Sequence, residues 1–178
     1  MKNYSIIIPT GRNWASINKN LCDIVKLCTS SDVEVILVDN NSVANSSVEL
    51  KYQCELLGGD VTYVYQGSPG STAARHKGVS VARGKYLIFV DDDVEIQDLW
   101  LQSIRKSFQD DQISLLGGPS IPKFTGAIPS WFWDFIIPTR YGGWVIIPFL
   151  TGIGSRVHAA MANRCFGVIP PKAMFGRS

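Results

Sequence analysis

The chain is expected to fold as an α/β sandwich, with a mostly parallel central sheet flanked by helices. Three observations predict this. Strand-like and helix-like patterns alternate from Tyr4 to Leu116, and such alternation produces parallel strands joined by right-handed crossovers. The run Tyr86-Leu87-Ile88-Phe89-Val90 is apolar at every position, the mark of a strand covered on both faces. Three strand-like runs end in polar clusters, Pro9-Thr10-Gly11, Asp39-Asn40-Asn41 and Asp91-Asp92-Asp93, and open parallel sheets bind ligands at their carboxyl ends.

The elements follow in order. Tyr4 to Ile8 reads as a strand stopped by Pro9-Thr10-Gly11. Ile17, Leu21, Ile24, Val25 and Cys28 recur on one face of a first helix,. Val33 to Val38 is a second strand, ending in turn residues that also suit a helix start,. A second helix is expected from about Ser46 to Leu57, with Val48, Tyr52 and Leu56 on its core face and Gly58-Gly59 ending it,. Val61 to Tyr65 is a third strand. The loop from Gln66 to Ser71 leads into a third helix, Thr72 to Arg83, closed by Gly84,. The central strand follows, then a fourth helix from Gln97 to Phe108, with Leu101, Ile104 and Phe108 facing inward and Glu95 and Asp98 as its acidic cap,. Ile113 to Leu116 is expected to be a fifth strand.

After Pro119 the rhythm breaks. Pro122, Pro129, Pro138 and Pro148 interrupt every candidate element, and aromatic residues gather from Phe124 to Phe149. Trp131 to Leu150 reads as core, as membrane-interface surface or as a platform for a substrate.

With 178 residues, 46% hydrophobic and 18% charged, the chain is one ordinary globular domain,. A net charge of +2 gives no case for a nucleic-acid partner,. Beyond Gly117 the only acidic residue is Asp134, against six basic ones. Cys22, Cys28, Cys54 and Cys165 form no C-x-x-C pair and no disulfide framework, so a reducing cytoplasm is the expected setting. No signal peptide is read at the N-terminus, and no apolar run reaches the length of a bilayer span,.

Asp91, Asp92 and Asp93 follow the central strand without a spacer. Three adjacent carboxylates repel one another unless a cation sits among them. Mg²⁺ or Mn²⁺ suits such oxygen donors and keeps room for water and substrate phosphates. The alternative is a solvated loop with Asp as a turn former. The Gly-rich loop before the third helix adds backbone N–H groups, and Arg75 adds a fixed positive charge suited to phosphate,. Arg75 has the alternative of pairing with Asp91, and Asp39 that of capping the second helix. His76 reads as a surface or packing residue. Together these groups describe a nucleoside diphosphate site. The chain contains no G-x-x-x-x-G-K-[ST], and no G-x-G-x-x-G follows its first strand,. The haloacid dehalogenase pattern expects Thr or Val where Glu95 stands.

The sequence resembles the family 2 glycosyltransferases of the GT-A fold. The resemblance rests on Ser5-Ile6-Ile7-Ile8-Pro9-Thr10, on Val33 through Ser42, and on Gly70 through Gly78 continuing from Gly84 to Asp93, in the family's order and spacing. It covers about the first 120 residues, and Gly117-Gly118-Pro119 with Pro129-Ser130-Trp131 looks like a weaker continuation. It implies a nucleotide-sugar-binding α/β domain over residues 1–120. Residues 121–178 would be an irregular acceptor-side or membrane-proximal extension, with peripheral membrane contact through 131–150. It implies that Pro9 and Thr10 line the nucleoside pocket and that Asp39 accepts from the base, commonly uracil. Arg75 would lie near the diphosphate, Asp91 toward ribose and donor sugar, Asp93 on the metal, and Asp92 at the variable middle position. The implied reaction moves a sugar, with inversion, from a nucleotide-diphosphate donor such as a UDP-sugar to a polysaccharide or lipid-linked acceptor. Inversion needs a general base, and Asp134 is the only downstream carboxylate that offers one. The family's usual base motif and acceptor-side segment are not found, so the chain looks shorter than a complete enzyme. Two further readings stand beside this one. One is a truncated or inactive member that binds nucleotide and metal without transfer; the other is a phosphotransferase using Asp91 as nucleophile.

Overall fold

The computed structural model describes residues 2–28, 30–110, 112–117 and 126–127, together with the backbone of three short strands further on. Alternating strands and helices open the chain: β1 (Tyr4–Thr10), α1 (Trp14–Leu27), β2 (Val33–Asn40), α2 (Ala44–Leu57), β3 (Val61–Gln66), α3 (Ser71–Val81), β4 (Tyr86–Phe89) and α4 (Trp100–Ser107). Three strands follow: β5 (Ile136–Pro138), β6 (Trp144–Ile146) and β7 (Val168–Ile169). The main sheet runs β3-β2-β1-β4-β7, parallel except for antiparallel β7. The chain divides into two compact units, residues 1–117 with 166–178, and residues 118–165. The second contains the antiparallel pair β5–β6.

Successive residues of the parallel strands feed opposite faces, as the period of two requires. Ile6, Ile8, Val35, Leu37 and Ile88 join the core containing Ile17, Leu21 and Ile24 of α1, Leu50 and Cys54 of α2, and Leu101 and Ile104 of α4. Ile7, Ile36, Val38 and Leu87 meet Ala74 of α3 in a second cluster. Asn13 caps α1, its side chain accepting from the Ser16 amide at 3.1 Å, which satisfies one of the helix's free donors.

Helix α3 lies close on the sheet because its contact residues are small. A Cβ on Gly78 would sit 2.4 Å from Ile7 Cγ2. At the amino end of the sheet, Glu34 is buried and accepts from Ser5 Oγ at 2.6 Å, from the Arg83 amide at 2.6 Å and from Arg83 Nε at 2.7 Å. This clamp ties β1, β2 and the segment between α3 and β4 together, and its donors hold Glu34 below the usual carboxylate range against the upward push of burial,.

Three sequence expectations are corrected. Val48, Tyr52 and Leu56 of α2 are 71%, 56% and 62% exposed, whereas Leu50 and Cys54 are buried. The helix is rotated because Ser47 Oγ donates to the buried Asp39 carboxylate at 2.6 Å, which places Ser47, Leu50 and Cys54 on the inward face. Ile113 to Leu116 forms no strand. Only Leu116 makes a bridge, and Ile113 and Leu116 instead pack, partly buried, against the core. The run is too short after the turn in which the Ile113 amide donates to the Asp110 carbonyl. Helix α4 begins at Trp100, with Leu99 at its cap position and no side-chain capping bond. Glu95 and Asp98 therefore precede the helix rather than cap it, and Glu95 lies 3.8 Å from Lys19 Nζ.

Candidate functional site

Parallel pairing brings the ends of β1, β2 and β4 to one rim. Pro9 is level with Val38 and Thr10 with Asp39, while Ile7 is level with Phe89. The Val90 amide donates to the Ile7 carbonyl at 3.1 Å, so the chain leaves the sheet beside β1 just before Asp91. Thr10 Oγ1 then donates to Asp92 Oδ2 at 2.6 Å across 82 residues of sequence. The three polar clusters expected at strand ends are thus one cluster in space.

The carboxylates occupy different environments. Asp39 is fully buried, and it accepts from the Ser42 amide at 2.9 Å, from Ser47 Oγ at 2.6 Å and from Tyr63 Oη at 2.7 Å. Burial pushes its carboxyl up, but hydrogen bonds from Ser42, Ser47 and Tyr63 outweigh that and hold it below the ordinary range,. In this arrangement Asp39 anchors the start of α2. Asn41 beside it takes φ 60°, a left-handed conformation that asparagine tolerates,, and its Oδ1 accepts from Tyr65 Oη at 3.0 Å.

Asp92 is the more buried of the two acids that face Arg12, with side chains 12% and 23% exposed for Asp92 and Asp93. Burial raises its carboxyl above the ordinary value; the Thr10 bond and the Arg12 charge oppose this, and Asp93 and Asp91 reinforce it. Its backbone carbonyl accepts from Asn20 Nδ2 at 3.0 Å. Asp91 is held by Arg75, NH2 to Oδ1 at 2.6 Å. Arg12 reaches Asp93 Oδ2 at 3.1 Å and Asp92 Oδ1 at 3.5 Å.

Of the residues singled out from sequence, Pro9, Thr10, Asp39, Asp91, Asp92, Asp93 and Arg75 all lie at this rim. Arg75 is paired with Asp91 rather than free. Asp134 lies outside the described residues, as do the side chains of residues 131–150. Arg12, Asn20, Ser47 and Tyr63 were missed. Arg12 carried a sequence signal, a cation just past the end of β1, whereas Tyr63 looked like an ordinary strand aromatic.

Among the described residues, no three His, Cys, Asp or Glu side chains converge into a ready-made metal cage. The rim nevertheless offers only hard oxygen donors. Asp91 and Asp93 are 24% and 23% exposed, suited to an ion that takes one or two carboxylates and completes its shell with water and phosphate oxygens. Oxygen donors of this kind are the type that a hard divalent cation takes. No helix among the described residues is long and apolar enough to cross a membrane.

Comparison with known proteins places this geometry. The chain is similar to a chondroitin synthase of Pasteurella multocida, with 31% identity over 117 residues covering 64% of this chain and 12% of that protein. In three dimensions it is similar to S. aureus TarS in complex with UDP-GlcNAc, with a TM-score of 0.63 and 16% identity over 98% of this chain and 46% of that one. It is also similar to the mannosyltransferase PcManGT from Pyrobaculum calidifontis in complex with GDP-Man and Mn²⁺, with a TM-score of 0.58 and 20% identity over 68% of this chain and 36% of that one. These likenesses show the GT-A fold. The chain spans 12% to 38% of the length of the curated relatives it matches. The model of glycosyl transferase family 2 matches residues 5–155, and the chain belongs to that family.

Proposed function

We propose that this rim binds a nucleotide-diphosphate sugar with a divalent ion, and that the protein moves the sugar, with inversion, to a polysaccharide or lipid-linked acceptor. The observation that carries the reading is the convergence of the β1, β2 and β4 ends through the Thr10–Asp92 bond and the Thr10–Asp39 register. Family membership and structural neighbours in complex with UDP-GlcNAc or GDP-Man support the donor class. The chondroitin synthase relative supports a polysaccharide acceptor.

In this reading Pro9 and Thr10 border the nucleoside; Asp39, expected to accept from the base, instead holds the β2–α2 loop against it, because its oxygens already accept from Ser42, Ser47 and Tyr63. Asp91 faces ribose and sugar, and Arg75 turns from Asp91 to the diphosphate. Asp93, with Asp91, would hold Mn²⁺ or Mg²⁺. When bound, the ion neutralises charge on the departing diphosphate. Asp92, tied to Thr10, keeps the three loops in register. Asp134 is the proposed base. Peripheral contact with the cytoplasmic face of a membrane through residues 131–150 accords with the aromatic residues there and with flanking basic residues such as Lys123 and Arg156,.

Calorimetric titration with UDP in Mn²⁺ tests the site. Binding should weaken about tenfold or more, at least ~1.4 kcal/mol, in Asp93→Ala; unchanged affinity refutes the assignment of Asp93. A second reading is a member that binds nucleotide and metal without transferring. Donor turnover measured on the same sample separates the two.

A further inference from the structure

Two arginines face the three consecutive carboxylates, and Arg12 is the one that spans two of them. Its guanidinium faces Asp93 Oδ2 at 3.1 Å and Asp92 Oδ1 at 3.5 Å. Its backbone amide donates to Thr10 Oγ1 at 3.1 Å, and that same hydroxyl donates to Asp92. The Arg12 backbone is therefore pinned to the cluster, while its side chain is 51% exposed. An ion pair so open to water is weak and readily exchanged.

We propose that Arg12 is a built-in counter-cation. It occupies the carboxylates while the rim is empty, gives them up to the divalent ion, and turns to the diphosphate that arrives with it. The proposal rests on the nucleotide–metal reading above. Its physical basis is competition. A dication bound at Asp93 and a guanidinium facing the same carboxylate repel, so they cannot both hold it at full strength. Once displaced, the guanidinium remains tethered at the rim by the Arg12 amide. Its planar donors suit phosphate oxygens better than a point charge would. Arg12 would thus lower metal affinity in the empty protein and raise nucleotide affinity in the loaded one. The metal and nucleotide would then bind together more readily than either alone.

The test is equilibrium binding on the full chain. Free Mn²⁺ is followed by electron paramagnetic resonance with and without UDP, and UDP affinity is measured by calorimetry in saturating Mn²⁺. In Arg12→Gln, Mn²⁺ alone should bind about tenfold tighter, the scale of a charge and a dication roughly 6 Å apart in water. UDP in Mn²⁺ should bind several-fold weaker. Lys19→Gln removes the same charge from a residue that pairs with Asp23 and Glu95 instead, and should change both affinities less than about twofold. Arg12→Ala removes the same charge and should shift both in the same directions, and it carries the test if Arg12→Gln does not fold. Unchanged Mn²⁺ affinity in the folded Arg12 variants overturns the proposal, as does an equal gain in Lys19→Gln. If the wild type binds no UDP with Mn²⁺, the underlying reading fails and the proposal with it. Binding in the wild type that is indifferent to Arg12 removes the proposal alone.

Discussion

Replacing Gly78 with alanine should destabilise the protein, although alanine is the better helix former. The added methyl would meet Ile7 Cγ2 at 2.4 Å, Val38 Cγ2 at 3.2 Å and Ile7 Cγ1 at 3.4 Å. Ile7 and Val38 are fully buried on neighbouring parallel strands, and β-branched side chains have few alternative rotamers. Relief must come from moving α3 off the sheet. Overpacking of this kind costs about 1–3 kcal/mol, while the helix-propensity gain returns about 1 kcal/mol. The net loss is about 1 kcal/mol, with ~2 kcal/mol as the upper end. Arg75 lies one turn before Gly78 on the same helix, so the shift also disturbs its 2.6 Å pair with Asp91. Urea unfolding should show a lower midpoint at unchanged slope. Ile7→Ala removes the methyl that clashes, so the double variant should be more stable than the sum of the single losses predicts, a coupling that a mutant cycle measures directly. A Gly78→Ala protein as stable as wild type, or additive losses in the cycle, would refute the packing argument.

Glu34→Ala should cost about 2–3 kcal/mol in chemical denaturation, because it leaves Ser5 Oγ and the Arg83 amide without their acceptor,. Asp39→Ala should cost a similar amount by leaving the Ser42 amide and Tyr63 Oη without this acceptor and Ser47 Oγ with its 3.4 Å bond to the Ser42 carbonyl alone,. If its role is to anchor the β2–α2 loop, Tyr63→Phe should weaken UDP binding less than Asp39→Ala does. Acidification should lower the melting temperature through these same two groups. Both have folded-state values below their unfolded ones, so their stabilisation is complete above the unfolded carboxylate pKa of about 4 and is lost as pH falls through the folded values. Asp92 acts in the opposite sense. Its raised carboxyl favours the protonated fold, so its contribution grows as pH falls through the folded value toward the unfolded value of about 4 and is lost as pH rises, and Asp92→Asn should remove that component.

The alternation of elements and the residues at the ends of β1, β2 and β4 were legible in the chain itself. Local hydrophobic pattern and turn chemistry act over a few residues and leave a direct trace in sequence. The same holds for the inward faces of α1 and α4, where Ile17, Leu21, Ile24, Leu101 and Ile104 are all buried. The rotation of α2 was not legible, because its sequence offers two apolar stripes. A hydrogen bond from Ser47 to Asp39, eight residues earlier and on another element, selects between them. Nor was Arg12 legible as the partner of Asp92 and Asp93, although the Arg75–Asp91 pair stood as an alternative reading of the sequence. Arg12 and Arg75 meet Asp93 and Asp91 only because β1, α3 and β4 deliver them to one rim. Sequence alone therefore determined which groups the protein has and the order of its first strands and helices. The tertiary structure decided which charges neutralise which, since electrostatic energy depends on distance in space and not on separation along the chain.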